Sequence, residues 1–374
     1  MRECEFFVQL CASPKAALDS AVKAGKKVIG VMPYFCPEEL VYAAGMLPFG
    51  LWGAEIQASE SRRYFPSFFC SILHTTLELG LRGELDALSG IMIPFSCDSL
   101  KNMGTNWRYG VKKVPVINVS YAQNRKIPAG TEFNLAQLLK IKAQLEEICG
   151  HEITNEAIAA AVKVYNENRA AVLRFSAAAA KHPELITPAE RCAVLKAGYF
   201  MDRAEHTAHV NWLSDILEAA PESSREGYIA LVTTGIIADS PELLKILEDN
   251  RIYITADQIC HESVPCRCLT AETEDPLLAL AKRTGEIEGS CVLFDPGKER
   301  GHQLVKLAQD SGADGVLWVM TKFCDPEEFD FVPVKRMLDA AGIPVLCIEV
   351  DQQTPELGQA KSAIRAFAEE LRGI

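Results

Sequence analysis

Short apolar runs alternate with amphipathic segments over the first third of the chain, and this alternation is its clearest structural signal. Four runs have the length and composition of buried strands: VIGVM (28–32), LPFGLWG (47–53), IMIPF (91–95) and VPVINV (114–119). Between them, PEELVYAAGM (37–46) begins as helices often do, with Pro at its first position and two glutamates behind it. FPSFFCSILHTTLELGLRG (65–83) predicts a second helix, with a mostly apolar surface. Strands that alternate with helices in this way predict a parallel α/β sheet.

The pattern is helical from about residue 130 to 220. A helix at 132–150 ends on Gly150, an alanine-rich helix follows at 154–184, and Thr187 to Glu190 has the form of a capping box. Strand-like runs then return in five segments: EGYIALVTTG (226–235), RIYITADQ (251–258), GSCVLFD (289–295), DGVLWVMTKF (314–323) and IPVLCIEVD (343–351). PELGQAKSAIRAFAEELRG (355–373) predicts the last helix.

These patterns predict an α/β fold with two Rossmann-like parallel-sheet domains and a helical segment between them. We expect an N-terminal domain at 1–128, a helical segment at 129–224 and a C-terminal domain at 225–374. A chain of 374 residues is too long for one compact core, which agrees with this division.

Composition narrows the class of protein. The formal net charge is -12 and no basic stripe is visible, so nucleic acid and anionic membrane surfaces are not expected partners. Neither a secretory signal nor an uninterrupted apolar stretch of about 18 residues is present. We therefore expect a cytoplasmic protein.

Thirteen cysteines are unusual for such a chain, and their odd number without a secretory signal argues against a disulfide framework. Three of them, Cys36, Cys97 and Cys324, each follow an apolar run and precede the start of a helix. The first and last share a further likeness, because Phe-Cys stands before Pro-Glu-Glu in both PYFCPEEL and TKFCDPEEFD. Ligands of open α/β sheets bind beyond the carboxyl ends of strands, and a helix N-terminus favours thiolate.

Three thiolates that converge from two domains would form a soft metal site. The paired C-x₂-C spacing of zinc sites and the tight spacing of ferredoxins are both absent. Single ligands from distant loops instead suit an iron–sulfur cluster held between domains, with its fourth corner left to a non-protein ligand. The competing interpretation is that these are three ordinary loop cysteines.

The remaining cysteines have simpler interpretations. Cys260, Cys266 and Cys268 lie near His261, but their spacing fits no standard zinc module, so we expect free thiols, with an accessory metal site as the alternative. Cys70 lies on the apolar face of a predicted helix and is interpreted as a core residue.

Several long motifs, in order, resemble the 2-hydroxyacyl-CoA dehydratase family, and most of all its smaller β subunit. They are YFCPEELVYAAGMLPFGLWG, PSFFCSIL, IPFSCDSL, QNRK, GIIADSPELLKILEDN, MTKFCDPEEFD and IPVLCIEVDQQT. The resemblance implies a heterodimer of related α and β subunits, each with a [4Fe-4S] cluster held by three cysteines. Matched motif by motif, those cysteines are Cys36, Cys97 and Cys324.

The reaction implied by the resemblance converts an (R)-2-hydroxyacyl-CoA into an (E)-2-enoyl-CoA by way of a ketyl radical. One electron from a separate ATP-dependent iron–sulfur activator makes this possible, and the electron is recycled. The resemblance implies that the β-subunit cluster relays the electron, while the acyl-CoA substrate lies mostly in the α subunit. The sequence leaves the acyl group open, with lactoyl, 2-hydroxyglutaryl, 2-hydroxyisocaproyl and phenyllactoyl thioesters all possible.

Three alternatives remain open at this stage. The first is a subunit of a benzoyl-CoA reductase-type enzyme, in which the electron would stay in the product. The second is a homomeric ATP-dependent reductase with a larger double cluster. The third is a cluster-free scaffold subunit whose thiols are simply buried.

Overall fold

The computed structural model describes residues 1–33, 35–354 and 356–373. Its strands are β1 Val28–Val31, β2 Leu47–Gly50, β3 Gly90–Pro94, β4 Val116–Val119, β5 Ile229–Gly235, β6 Ile252–Ile259, β7 Gly315–Thr321 and β8 Val345–Val350. Its helices are α1 Glu5–Ala12, α2 Pro14–Lys23, α3 Glu38–Ala43, α4 Ser71–Leu81, α5 Asp98–Gly110, α6 Pro128–Cys149, α7 Asn155–Ala179, α8 Pro188–Ala197, α9 Arg203–Ala219, α10 Pro241–Asp249, α11 Pro276–Glu286, α12 Glu299–Asp310, α13 Asp325–Ala340 and α14 Gly358–Leu371.

The first sheet is parallel and has the strand order β2-β1-β3-β4. In register, Val28 lies opposite Leu47, and Ile91 lies opposite Val116. The two central strands, β1 and β3, are buried along their whole length, which explains why they read as continuous apolar runs. Successive side chains still point to opposite faces, so the sheet separates two layers of packed helices.

The second sheet repeats this arrangement with the order β6-β5-β7-β8, again with every strand parallel. Leu231 pairs with Gly315, and Val316 with Val345. When the two sheets are compared strand by strand, β5 is equivalent to β1, and β7 to β3. The predicted α/β fold with two parallel sheets is therefore confirmed.

The helices between the sheets start and end where the local chemistry indicates. Thr187 Oγ1 accepts a hydrogen bond from the Glu190 amide at 3.2 Å, and the Glu190 carboxylate accepts one from the Thr187 amide at 2.9 Å, so the capping box is confirmed. Gly150 ends α6 at a φ of 86°, a left-handed conformation that favours glycine.

The sheets and helices are interleaved in space. The α11 helix follows the second sheet's β6 strand, yet it packs on α6 and α7 and adds Leu277 and Leu280 to the core on one face of the first sheet. The domain boundaries at 128 and 224 stay a prediction.

Two predictions of secondary structure were wrong. The segment 289–295 is a loop between α11 and α12 and not a strand. The second predicted helix begins at Ser71 and not near residue 65, so Cys70 caps the helix with an extended backbone (ψ of 150°). Pro355, the predicted start of the last helix, and Tyr34, in the first Phe-Cys motif, lie outside the described residues. Within those residues, every helix is too short or too polar to cross a bilayer.

Candidate functional site

Cys97 and Cys324 occupy equivalent positions in the two sheets. Cys97 follows β3 and caps α5, while Cys324 follows β7 and caps α13. Because β3 and β7 are equivalent strands, the topology pairs Cys324 with Cys97 and not with Cys36. The sequence likeness between Cys36 and Cys324 is nevertheless real at the backbone, since Phe35 and Phe323 have positive φ values of 73° and 63°. Positive φ is uncommon for a bulky residue, so both corners share a rare turn.

The structure brings these two cysteines together with two others, Cys70 and Cys291. All four pack against the same hydrophobic core, and we call them the four-thiol group. Cys291 is a neighbour of Cys324 and raises the pKa of its thiol. Cys97 and Cys291 line one cavity of about 520 Å³, and Asp325, next to Cys324, lines it too. The group therefore joins side chains from both sheets.

Cys36 is not part of this group. It packs in the core on the other face of the first sheet, and its Sγ lies 3.9 Å from the Met92 carbonyl oxygen. The alternation along β3 shows the separation: Met92 belongs to the core of Cys36, whereas Ile91 and Ile93 belong to the core of the four-thiol group. The structure thus brings together two of the three predicted ligands and places the third elsewhere.

Burial dominates the acidity of these thiols. It raises the pKa of Cys70 to about 12, although the amides of Ile72 and Leu73 oppose the effect. Burial likewise raises the pKa of Cys97 against the amides of Ser99 and Leu100. The amides at the helix starts therefore lower the pKa of both thiols, as a helix N-terminus should, but burial outweighs them. The same amides would stabilise a thiolate bound to metal.

Cys324 differs from the other two helix-capping thiols. Its contact with Cys291 contributes most to raising its pKa well above the ordinary range, and burial adds to this. Binding of a metal by Cys324 would release its proton, because metals bind thiolate.

A buried cation lies behind the four-thiol group. Arg300 is only 1% exposed and donates to Glu327 at 3.0 Å and to Asp330 at 3.3 Å. Its guanidinium carbon also lies 4.7 Å from the centre of the Trp318 ring. Burial alone would lower the pKa of Arg300, but the nearby Cys291 and Glu327 raise it above its ordinary value. Arg300 is thus a buried cation near Cys291 whose charge is already paired with the two carboxylates of α13.

The other cysteine-rich stretch does not form one site. Cys260 belongs to the core next to the four-thiol group, and its Sγ lies 3.0 Å from Ser290 Oγ. Cys266 packs instead in the helical core with Phe7. None of the thirteen cysteines, Cys268 included, forms a disulfide in the part of the chain that the structure describes.

The four-thiol group has the donor chemistry of an iron–sulfur site. Thiolates are the ligands that such clusters take, and apolar walls with amides near sulfur are the surroundings that tune them. In the described ranges, no three side chains of His, Cys, Asp or Glu meet around one ion-sized point. The thiols are thus not arranged for a single ion such as zinc. A cluster binds each sulfur at a separate iron corner and has a larger body than one ion, which fits thiols that pack on one core beside a cavity.

Sequence reasoning missed Cys70 and Cys291 for specific reasons. The apolar pattern places Cys70 within a helix, although Pro66 just before it is a signal that the helix begins later. The same kind of pattern places Cys291 in a strand, because SCVLF reads as a short apolar run. No local signal reveals that this segment reaches the other sheet.

The chain thus has the architecture of a two-sheet α/β protein with a thiol-lined site between the sheets. Residues 33–371 match the family model described as "2-hydroxyglutaryl-CoA dehydratase, D-component". The chain belongs to this dehydratase family, as the motifs predicted.

The sequences of similar proteins align with this chain over nearly its full length. The chain is 46% identical to the (R)-phenyllactyl-CoA dehydratase beta subunit of Clostridium sporogenes, covering 98% of this chain and 97% of that one. It is 43% identical to the beta subunit of the (R)-2-hydroxyglutaryl-CoA dehydratase of Acidaminococcus fermentans, covering 98% of each. A more distant relative, at 26% identity over 93% of this chain and 91% of its own, belongs to the benzoyl-CoA reductase of Thauera aromatica. The nearer relatives are dehydratase subunits.

Proposed function

We propose that this chain is the β subunit of an (R)-2-hydroxyacyl-CoA dehydratase and binds a [4Fe-4S] cluster through Cys70, Cys97 and Cys324. The observation that carries the proposal is that Cys70, Cys97 and Cys324 pack against one core, beside a cavity lined by Cys97 and by Asp325, the neighbour of Cys324. When bound, the cluster supplies a one-electron relay from an ATP-dependent activator to the active site of a homologous α subunit, where the acyl-CoA is dehydrated through a ketyl radical.

The ligand set in this proposal differs from the sequence expectation at one position. Cys70, Cys97 and Cys324 each cap a helix and pack on one core, whereas Cys36 faces the opposite layer. We therefore propose Cys70 in the place that the motifs suggested for Cys36. The experiment below compares the two cysteines directly.

The residues around the thiols have separate tasks. The amides at the starts of α4 and α5 lower the pKa of Cys70 and Cys97 and would stabilise their thiolates once a metal is bound. The buried Arg300 holds the carboxylates of Glu327 and Asp330 in α13, the helix that Cys324 caps. Apolar side chains such as Ile236 and Ile237 exclude water from one side of the site.

An aromatic rim beside the thiols supports a partner protein there. Four phenylalanines adjacent in sequence or in the cavity wall to these cysteines are exposed: Phe68, Phe294, Phe323 and Phe329. Phe329 is 80% exposed and lines the same cavity as Cys97. Exposed aromatic residues of this kind are enriched at the centres of protein interfaces. We assign this rim as the surface that binds the α subunit. An electron that leaves the cluster through this surface would have the shortest path to the partner.

The acyl group is a property of the assembled enzyme in this proposal, because the substrate lies mostly in the partner. The two nearer relatives bear the names of different acyl groups, phenyllactyl and 2-hydroxyglutaryl. A panel of 2-hydroxyacyl-CoA thioesters, assayed with the co-expressed α subunit and activator, identifies the substrate. Retention of the electron in a reduced product would favour the benzoyl-CoA reductase-type alternative.

Single Cys→Ser variants test the ligand set after anaerobic purification. We expect Cys70→Ser, Cys97→Ser and Cys324→Ser to lose bound iron and sulfide together with dehydration. Cys36→Ser and Cys347→Ser serve as matched controls that keep both. Normal iron content in Cys70→Ser together with its loss in Cys36→Ser would return the third ligand to Cys36. A colourless wild-type protein, free of iron and sulfide, would instead support the scaffold alternative.

A further inference from the structure

The backbone at Phe323, directly before Cys324, is strained in a way that the contacts of the described residues do not explain. We propose that Phe323 is the anchor of this chain for the α subunit, held in an unfavourable turn so that its ring projects from the aromatic rim into the partner. The inference rests on the proposed function and deepens it, because it singles out one residue of the rim and gives its strain a purpose. Strained backbone tends to occur at functional sites.

The turn that leads from β7 into α13 is of a kind that ordinarily takes glycine. The Cys324 amide donates to the Thr321 carbonyl oxygen at 3.0 Å, so residues 321–324 form a β-turn. Its third position, Phe323, has a φ of 63°, whereas φ at Lys322 is not positive. This is the pattern of a type II turn, whose third position favours glycine. A phenylalanine there bears a steric strain that glycine would not have.

The direction of the chain does not require phenylalanine at this position. Glycine adopts the same turn freely, so it would place Cys324 equally well. Phe35, the other phenylalanine of positive φ, is half-buried, and its carbonyl oxygen accepts a hydrogen bond from the Tyr121 hydroxyl. Contacts inside the chain therefore hold the turn at Phe35. The ring of Phe323 is instead 39% exposed.

The Phe323 ring also adds little to the packing of this chain. It belongs to none of the hydrophobic cores that the described residues form, although Cys324 beside it packs against one. Lys322 Nζ lies 5.3 Å from the centre of the ring, which is a contact with its own neighbour in sequence. A residue that strains its backbone and packs so little lowers the stability of the free chain. Contact of the ring with a partner would offset that loss.

The place of Phe323 in the molecule favours the α subunit as that partner. The ring belongs to the aromatic rim, together with Phe68, Phe294 and Phe329, and it lies next to Cys324. The similar chains named above are beta subunits, so a partner subunit is expected at some surface of this chain. A few aromatic residues supply most of the binding energy of an interface. A ring fixed by a tight turn also loses little freedom on binding.

Phe323→Gly and Phe323→Ala separate the strain from the contact. Glycine is ordinarily less stable than alanine, because it loses more conformational freedom on folding. At a strained left-handed position the order should be reversed, so the urea midpoint of Phe323→Gly should exceed that of Phe323→Ala. Both variants lack the ring and should keep wild-type iron and sulfide. In anaerobic mass photometry, their heterodimers with the co-expressed α subunit should dissociate at about tenfold higher concentration or more.

Arg251→Gly is the matched control for relief of strain. Arg251 also has a positive φ, of 54°, but it lies directly before β6, at the end of the second sheet opposite to Cys324. Its replacement should leave dissociation of the heterodimer unchanged.

The outcomes separate this inference from the proposed function. Wild-type dissociation in both Phe323 variants overturns the inference, as does a urea midpoint of Phe323→Gly below that of Phe323→Ala. Loss of iron in the variants would show that the ring serves the cluster and not the partner, and would overturn it too. A dimer of this chain alone that Phe323→Gly disrupts would assign the ring to a second copy instead. A wild-type chain that holds no cluster or forms no heterodimer overturns the proposed function itself.

Discussion

Replacing Arg300 with methionine should destabilise the protein strongly, because the change leaves two carboxylates of α13 without their buried cation. Arg300 bonds Glu327 at 3.0 Å, Asp330 at 3.3 Å and Thr234 at 3.2 Å. Glu327 is fully buried, so water cannot replace the lost partner. Breaking a buried ion pair from one side costs about 3–5 kcal/mol, and we expect a loss of about that size in the free energy of unfolding.

The stability that Arg300→Met loses should increase as pH rises. In the wild type, burial already raises the pKa of Glu327, although Arg300 opposes it. An acid whose pKa is raised on folding binds more protons in the folded state, so its contribution to stability falls as pH rises above its unfolded value of about 4.3. Without Arg300 the folded pKa rises further. The deficit of Arg300→Met should therefore grow with pH, by up to about 1.4 kcal/mol per unit.

Urea unfolding, followed by far-UV circular dichroism at pH 5.5 and pH 8 and at equal iron content, measures both effects. The double variant Arg300→Met/Glu327→Gln should recover a large part of the loss, because the amide carries no charge. Arg365→Met is the matched control, since Arg365 pairs with Glu369 on an exposed surface and should change stability by less than about 0.5 kcal/mol. A loss below about 1 kcal/mol, or one that shrinks as pH rises, would refute the reasoning.

Three further predictions concern stability elsewhere. Burial lowers the pKa of His206 to about 3, so the folded state binds a proton there only at lower pH than the unfolded state does. The free energy of unfolding should therefore fall as pH drops below about 6.5, and His206→Gln should flatten this fall in urea titrations at pH 5 and pH 7. Thr187→Ala should cost about 1 kcal/mol by removing the capping box, and an unchanged urea midpoint would contradict that role. Gly50→Ala should cost about 1–3 kcal/mol, because its methyl group would lie 2.5 Å from the Trp52 ring; a melting temperature equal to wild type would show that the ring yields freely.

Much of the fold could be predicted because its signals are local. The strands β1, β3 and β7 lie in the predicted segments, since buried parallel strands need continuous apolar runs. The error at 289–295 has the opposite cause. A short apolar run is compatible with a strand or with a buried loop, and only the packing of Cys291 and Val292 against a distant core decides between them.

The candidate site was predicted in part for the same reason. Cys97 and Cys324 follow strands and precede helices, and that local pattern placed them at the edge of their sheets. Cys36 shows the same pattern, but its local sequence does not specify which layer its side chain enters. Cys70 and Cys291 join the group through contacts between segments that are far apart in the chain.

The sequence alone determined the two parallel sheets, the helical segment between them and the family to which the chain belongs, because periodicity and motifs are properties of neighbouring residues. Only the tertiary structure decided which sulfur atoms meet. Side chains alternate between the faces of a sheet, so one step along a strand moves a residue into a different core. That step separates Cys36 from the four-thiol group, and the path of the loop between α11 and α12 brings Cys291 into it.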